Sequence, residues 1–551
     1  MNLFKSKNNI LLILIILLTV ILRFVWLDRI PPALYTDEAD QGYNSYSIIK
    51  TLRDEHGNFL PLSFRSFGDW KPPLPTYLMV PFIYLFGLNE IAVRLPSVIL
   101  GVGSVLIIYF LVREIFVDKS NRNKIGLLAV LFLAVSPWHI LQSRSAMLVI
   151  TSLFFFESGV WLFLLGLRKK YILVLSSLMF VLSIYSYYGM RIITPLFLLF
   201  LLIYYRNKIL LTLKSTLIAT LLGVVLLIPL GISFLKESDV FLGRAKTVSV
   251  FYDQGVRLTQ WKLITQDGID ATPLVTRFFH NVPYMYFNRI IKNFLIHFDP
   301  QYLFVIGDTA PPFQIPGMGI LFLTDGVLII IGVVVLMKYR YPSIALLFIW
   351  LLLSILPASL TFMIPASNRT FNVVIIYTVL ASLGLYHLYR KIKYKRVSAM
   401  IFCVILILNT VYSMNQYFLV LPNKYANWWN YGWKETVSSV AKIQSKYNDV
   451  VVSDINGMPY IYFLFYQQFD PKKYQETALR TYVADRFGFE HVEGFDKYYF
   501  TNNLYYDDVI GNLQPKTIYV IPSSQVKGNH SSFDTIYYPD GQPVNRIITN
   551  E

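Results

Sequence analysis

One cysteine stands among 551 residues, Cys403, and it lies inside an apolar run. The chain therefore has no internal disulfide and no cysteine-ligated metal centre, and Cys403 reads as a packing residue. Charge is scarce too. Asp, Glu, Lys and Arg make up 15% of the residues against 55% hydrophobic, with a mean hydropathy of +0.49, which excludes a soluble chain of amphipathic elements. Acid is the scarcer sign, 33 residues against 49 Lys and Arg, for a formal charge of +16. That excess does not describe a nucleic-acid binder, because the basic residues sit in short tracts between apolar runs, where they orient helices toward the cytoplasm. No internal repeat, low-complexity stretch, heptad pattern or nucleotide-binding loop is visible. No small-residue cleavage site follows the first apolar run, so that run, preceded by Lys5 and Lys7, reads as a retained first helix rather than a signal peptide.

Long apolar runs dominate what is there. They fall near residues 10–27, 91–112, 125–137, 146–166, 171–187, 192–205, 210–235, 318–337, 343–364, 371–388 and 398–418, about eleven in all. The third and sixth are short for a span. A further one from Thr76 to Gly87, flanked by prolines, lies along the interface or re-enters it. Basic tracts alternate with the other connections: Lys119, Arg122 and Lys124; Arg168, Lys169 and Lys170; Arg206 and Lys208; Lys338 and Arg340; and Arg390 to Arg396. These mark the cytoplasmic side. Charges keep to the ends of the spans.

After about residue 419 the composition turns polar and tyrosine-rich, with β-type runs at Val450–Val452 and Thr517–Ile521. The fold class expected is an all-α polytopic membrane protein of about 11 transmembrane helices with a small extracytoplasmic C-terminal α/β domain. Residues 1–420 form the transmembrane domain, with a first outer loop at 28–90 and a long outer loop at 236–317, and residues 421–551 form the C-terminal domain. An odd number of spans and a cytoplasmic N-terminus put that domain on the same outer side as the first loop, in a multi-pass protein of the cytoplasmic membrane.

The stretch from Tyr35 to Tyr77 is the richest in chemistry. It puts Asp37 and Glu38 at the mouth of a membrane helix, followed by a capped helix pattern and a Gly68-Asp69-Trp70-Lys71-Pro72-Pro73 turn. Asp37 and Glu38 suit helix capping near a positive dipole end. They equally suit a general base, or an anchor for an acceptor hydroxyl, where a lipid-borne substrate enters. Lys71 suits snorkelling to headgroups, or binding a phosphate while a carboxylate handles a hydroxyl. The lysine and the acidic pair together are more specific than either alone.

Several motifs carry a resemblance: Asp37-Glu38 after the first span, Trp70-Lys71-Pro72-Pro73-Leu74, Ser136-Pro137-Trp138-His139 with Ser143-Arg144-Ser145-Ala146, His297-Phe298-Asp299-Pro300, Pro316-Gly317-Met318-Gly319 and Ser367-Asn368-Arg369. With eleven or so spans, the chain resembles the GT-C glycosyltransferases, in the branch of bacterial relatives of the protein O-mannosyltransferases and aminoarabinose transferases (glycosyltransferase family 39-like). The similarity covers roughly residues 1–420 and is strongest in the first 200.

The resemblance implies transfer of a sugar from a polyprenyl-phosphate donor to an acceptor hydroxyl on a lipid, glycan or protein, at the outer face of the bilayer. It makes Asp37 the base with Glu38 beside it, and Lys71, Arg369 and Arg144 ligands of the donor phosphate. Asp69, Trp70, His139, Tyr187, Tyr188 and His297 become substrate-contacting positions. Trp70 stands where relatives with a Glu-Lys-Pro-Pro turn have an acid, and Met147 to Ile150 where an acid usually follows Arg144. The resemblance makes no cofactor certain and leaves a divalent metal ion open. His139, His280 and His297 lie in outward connections without zinc-type spacing and read as hydrogen-bonding loop residues. Arg144 and Arg191 also suit snorkelling, the Tyr185–Tyr188 cluster suits an aromatic belt, and Trp428, Trp429 and Trp433 suit either packing or contact with an acceptor glycan. The alternative function is a transporter or flippase of a lipid-linked sugar, for which charges near the middle of several spans are expected.

Overall fold

Each of the eleven apolar runs carries a helix in the computed structural model. It describes residues 7–116, 121–236, 239–252, 254–268, 273–455, 457–483, 485, 488–502, 504, 506–511, 513–526 and 533–549, so Lys5 and Lys119 of the expected basic tracts lie outside the described residues. In chain order the first nine helices are α1 (Lys7–Phe24), α2 (Thr36–Thr51), α3 (Leu74–Phe86), α4 (Glu90–Ile115), α5 (Arg122–Val135), α6 (Pro137–Arg144), α7 (Leu148–Gly166), α8 (Ile172–Ile184) and α9 (Met190–Tyr204). Among the described residues, six helices are long and apolar enough to cross a bilayer, and α5 with α6, bent by 59°, makes a seventh if counted as one span. The remaining runs carry helices of 13 to 16 residues.

The chain divides into two compact units. The first comprises residues 1–23, 100–143 and 148–413, and the second residues 24–99, 144–147 and 414–551. The division does not follow chain order, because the first outer loop falls in the same unit as the tail.

The first unit is a helix bundle. A close crossing joins the helices Leu323–Lys338 and Val373–Lys391: a Cβ on Gly332 would stand 2.0 Å from the Leu380 carbonyl oxygen, and one on Gly384 2.0 Å from that of Leu328. Two glycines let the backbones meet where the hydrophobic effect gives helices no drive to associate. The segment expected as the long outer loop is itself helical at Asp239–Val248, Gln254–Gln266, Pro273–Phe279 and Val282–Ile296.

Two expectations about polar residues are corrected in this unit. His139 lies not in an outward connection but fully buried on α6, because the chain breaks at Ser136 and re-enters helix at Pro137. Its Nδ1 accepts from the Arg23 guanidinium at 2.8 Å, which leaves Nε2–H to donate to Ser104 Oγ at 3.2 Å. Charges also do not keep to span ends, since Glu157 is fully buried midway along α7. The carboxyl was legible in the sequence, since Glu157 stands in the middle of the apolar run 146–166; only its full burial required the structure.

The second unit joins the first outer loop to the tail. Seven strands, β3 (Asp449–Ser453), β4 (Leu479–Thr481), β5 (His491–Phe495), β6 (Tyr498–Thr501), β7 (Thr517–Pro522), β8 (Asp534–Tyr537) and β9 (Pro543–Thr549), form a sheet in the order β4-β5-β6-β3-β7-β9-β8, numbered after the loop hairpin of β1 (Phe64–Ser66) and β2 (Asp69–Lys71). The two β-type runs seen in the sequence are adjacent central strands, with β3 parallel to both β6 and β7. Strands buried on both faces read as unbroken apolar runs. The helix Tyr460–Tyr466 packs the tail against α2: Tyr43 Oη donates to the Phe469 carbonyl at 3.1 Å, and a Cβ added to Gly42 would stand 2.7 Å from the Phe465 ring. Trp429 and Trp433 pack the core, the latter stacked on Tyr462 at 5.9 Å, whereas Trp428 is exposed.

Candidate active site

The site grows from the first turn of α2. Tyr35 is extended and its N–H donates to Glu38 Oε2 at 2.9 Å, so Glu38 closes the helix start from the N3 position. Successive helix residues point about 100° apart and residues three apart share a face, so Asp37 and Asp40 project together while Glu38 turns inward.

Glu38 is a buried hub. Its Oε1 accepts from Arg94 Nε at 3.1 Å and from the Ala146 N–H at 2.8 Å, and Oε2 accepts from Arg94 Nη2 at 3.2 Å as well as from Tyr35. Arg94 in turn donates to the carbonyls of Leu27, Pro31 and Ala33. The pair thus ties the start of α2 to residues 27–33, to α4 and to Ala146, which is a positioning role.

Asp37 faces the other way, with its side chain 45% exposed. Its partner comes from the hairpin β1 (Phe64–Ser66) and β2 (Asp69–Lys71), where Ser66 pairs with Asp69 and Phe64 with Lys71. The two-residue turn holds Phe67 at φ 53° and Gly68 at φ 86°, the primed geometry that matches strand twist. The chain at Trp70-Lys71 is therefore a strand rather than a turn, and strand alternation sends Asp69 and Lys71 to one face and Trp70 to the other. Lys71 is 4% exposed; its Nζ donates to Asp37 Oδ1 at 2.8 Å and Asp40 Oδ2 at 3.0 Å and lies 5.1 Å from the Phe67 ring.

Burial works to strip the Lys71 proton, but the carboxylates of Asp37 and Asp40 outweigh it and hold its pKa above the ordinary lysine value. Burial lifts the Asp40 carboxyl above the usual range, and Lys71 holds back part of that rise. Glu55, also fully enclosed, is pushed well up by burial and then by the charge of Asp40, which favours its protonated form. The cluster therefore presents one fixed ammonium and one accessible carboxylate. Among the described residues no set of three or more His, Cys, Asp and Glu converges as a metal centre, and the two carboxylates that would begin one share Lys71 instead. The residues present do not fit a metal ion there.

The other expected residues are distributed as follows. Asp69 Oδ1 accepts from the Trp70 N–H at 2.8 Å, and the Trp70 ring lies 5.7 Å from the Arg65 guanidinium. Arg144 donates to the carbonyls of Val25, Trp26 and Ile30 and to Tyr417 Oη, with its guanidinium over the Tyr417 and Phe418 rings, so its visible donors are spent on protein.

Arg369, His139, Tyr187, Tyr188 and His297 belong to the first unit. Arg369 Nη1 donates to Thr361 Oγ1 at 2.7 Å and the Met363 carbonyl at 3.0 Å. Tyr187 and Tyr188 meet edge to face at 6.0 Å, and Arg191 covers Tyr188. His297 accepts the Ala366 N–H on Nε2 and donates from Nδ1 to the Asn293 carbonyl, and burial lowers its pKa to about 4. Sequence reasoning missed Asp40, Glu55, Arg94 and Asp308; the last accepts the Ser367 N–H at 2.5 Å and shapes the loop that carries Arg369.

A family model described as dolichyl-phosphate-mannose-protein mannosyltransferase matches residues 70–232. YkcB of Bacillus subtilis (strain 168), named provisionally as a mannosyltransferase, is 28% identical over 256 residues, 45% of this chain and 34% of its own. YycA of the same organism, with the same kind of name, is 28% identical over 231 residues, 39% and 32% of the two chains. The match thus spans about a third of the length of these curated relatives. Among solved structures, ArnT from Cupriavidus metallidurans, bound to undecaprenyl phosphate, aligns with a TM-score of 0.52 at 12% identity over 97% of both chains.

Proposed function

We propose that this chain, a polytopic membrane protein with the GT-C fold, is a glycosyltransferase that moves a sugar from a polyprenyl-phosphate donor to an acceptor hydroxyl at the outer face of the cytoplasmic membrane. The observation that carries the reading is Lys71 held between Asp37 and Asp40, with only Asp37 open to an incoming molecule. Lys71 binds the donor phosphate, and Asp37 takes the acceptor proton as that oxygen attacks the anomeric carbon. The anomeric carbon–oxygen bond breaks, its electron pair leaves on the polyprenyl phosphate, and the ammonium stabilises that charge in a dry pocket. Asp69 and Trp70, on the same hairpin as Lys71, are contacts of the substrates in this reading. Glu38 and Arg144 hold the backbone that presents Asp37.

The fold of ArnT, solved with undecaprenyl phosphate, supports a lipid-phosphate donor, and the family match supports a hexose such as mannose. The acceptor is a lipid, glycan or protein in contact with the bilayer. A transporter reading draws on Glu157, buried midway along α7, but leaves the exposed carboxylate of Asp37 and its lysine, Lys71, without a role.

The test is Lys71→Ala in purified protein. Losing one charge-assisted contact costs about 1.5–3 kcal/mol, or roughly one to two decades in rate. The defect is expected in the donor dependence with the protein still folded, while an unchanged donor dependence contradicts the assignment. Mass spectrometry of surface glycans from cells with and without the gene then identifies sugar and acceptor.

A further inference from the structure

The two carboxylates on Lys71 differ in every respect that governs exchange. Asp40 is fully buried one helical turn into α2, its Oδ1 accepting from Asn44 Nδ2 at 3.2 Å, and Asn44 Oδ1 is in turn held by the Glu55 N–H at 3.0 Å. Asp37 is half exposed at the helix start and engages Lys71 through Oδ1. The lysine backbone is pinned by the hairpin pairing and by Ser63 Oγ, which donates to the Lys71 carbonyl at 3.2 Å. An ammonium has three donors, and two are already committed to these carboxylates. A phosphate arriving from the open side competes with the exposed partner, since the buried one has no water to replace its bond.

We propose that Asp40 is the fixed post and Asp37 the exchangeable partner of Lys71, so that the donor phosphate takes Asp37's place on Nζ and thereby releases the base. The inference rests on the glycosyltransferase reading above and deepens it. In the free protein the base is masked by its own ammonium. Once phosphate occupies Nζ, Asp37 is free to take the acceptor proton, the new carbon–oxygen bond forms as the anomeric carbon–phosphate oxygen bond breaks, and Asp37 ends protonated while the polyprenyl phosphate leaves with the electron pair. Donor therefore binds before the acceptor is activated, which protects the donor from water. When the lipid phosphate departs and Asp37 loses its proton, Lys71 returns to it.

Binding of undecaprenyl phosphate to the full chain in nanodiscs tests this. Asp37→Asn removes the competitor, so affinity rises about three- to ten-fold; Asp40→Asn removes the post, so affinity falls about ten-fold, each the equivalent of one weak to moderate ion-pair contact. In transfer assays Asp40→Asn raises the donor KM, and Asp40→Glu restores it. Simple removal of negative charge would tighten binding equally in both variants, and that result overturns the proposal, as does unchanged binding by Asp37→Asn. The Asp37 arm decides alone if Asp40→Asn fails to insert, because Asp37 is half exposed, Asn keeps its shape, and Glu38 rather than Asp37 closes the helix start. Lys71→Ala that binds the lipid like wild type refutes the phosphate site itself, a different failure from either of these.

Discussion

Asp37 and Glu38 are neighbours in sequence and opposites in role. Glu38 satisfies four donors in a dry environment, two of them on Arg94, whereas Asp37 keeps an open side. Removing one partner of a buried ion pair leaves an uncompensated charge, worth about 3–5 kcal/mol. Glu38→Ala and Arg94→Ala are each expected to lose stability on that scale in thermal unfolding of the detergent-solubilised protein, and Asp37→Asn to lose little. Equal destabilisation by Asp37→Asn would make Asp37 a structural partner of buried Lys71, like Glu38 toward Arg94, rather than an open base. The sequence made the acidic pair visible but could not divide it, because the division depends on Arg94, 56 residues away. Asp40 was within reach: it stands one turn beyond Asp37 in a stretch that already read as a capped helix, and helical spacing puts the two on one face. Its neutralisation by Lys71 was not, since that requires the hairpin.

At the scale of elements, the apolar runs mapped to helices because a bilayer-length run leaves few alternatives for the backbone. The Trp70-Lys71-Pro72-Pro73 segment misled because prolines suggest a turn, whereas here Pro72 and Pro73 end a strand and start α3, a place proline suits. The true turn is Phe67-Gly68, and it aims Lys71. The hairpin is further clamped by Arg65, whose guanidinium forks onto the Glu490 carboxylate of the tail. A side chain at Gly68 meets a φ of 86° and stands 3.1 Å from both Glu490 Cγ and the Gly488 carbonyl oxygen. Gly68→Val is expected to cost about 1–3 kcal/mol in backbone strain. It should also lower transfer more than that loss of folded protein accounts for, because Lys71 moves with the strand. Wild-type transfer per folded molecule in that variant would remove the hairpin from the account.

At the scale of the molecule, the tail was legible as α/β from its two apolar β runs, but its partnership with the first loop was not. That partnership runs through Tyr43, Gly42 and Thr36, residues with no periodic signal, which meet Phe469, Phe465 and Tyr462. Since loop and tail form one compact unit, they share a side of the membrane, and the reading of an outer-face reaction places the tail outside. A reporter fused after Glu551 is expected to work only outside the cytoplasm. Activity of a cytoplasm-only reporter there would reverse the facing of the whole site.

The proposed reaction turns on the open carboxylate of Asp37 beside Lys71. Asp37→Asn preserves shape while removing charge and basicity, and leaves the helix start closed by Glu38. Its glycosyl transfer from a polyprenyl-phosphate sugar, measured in membranes with matched amounts of inserted protein, is predicted to fall by about two to four decades, the range for loss of a general base. Transfer by Asp37→Asn at close to the wild-type rate would contradict the account.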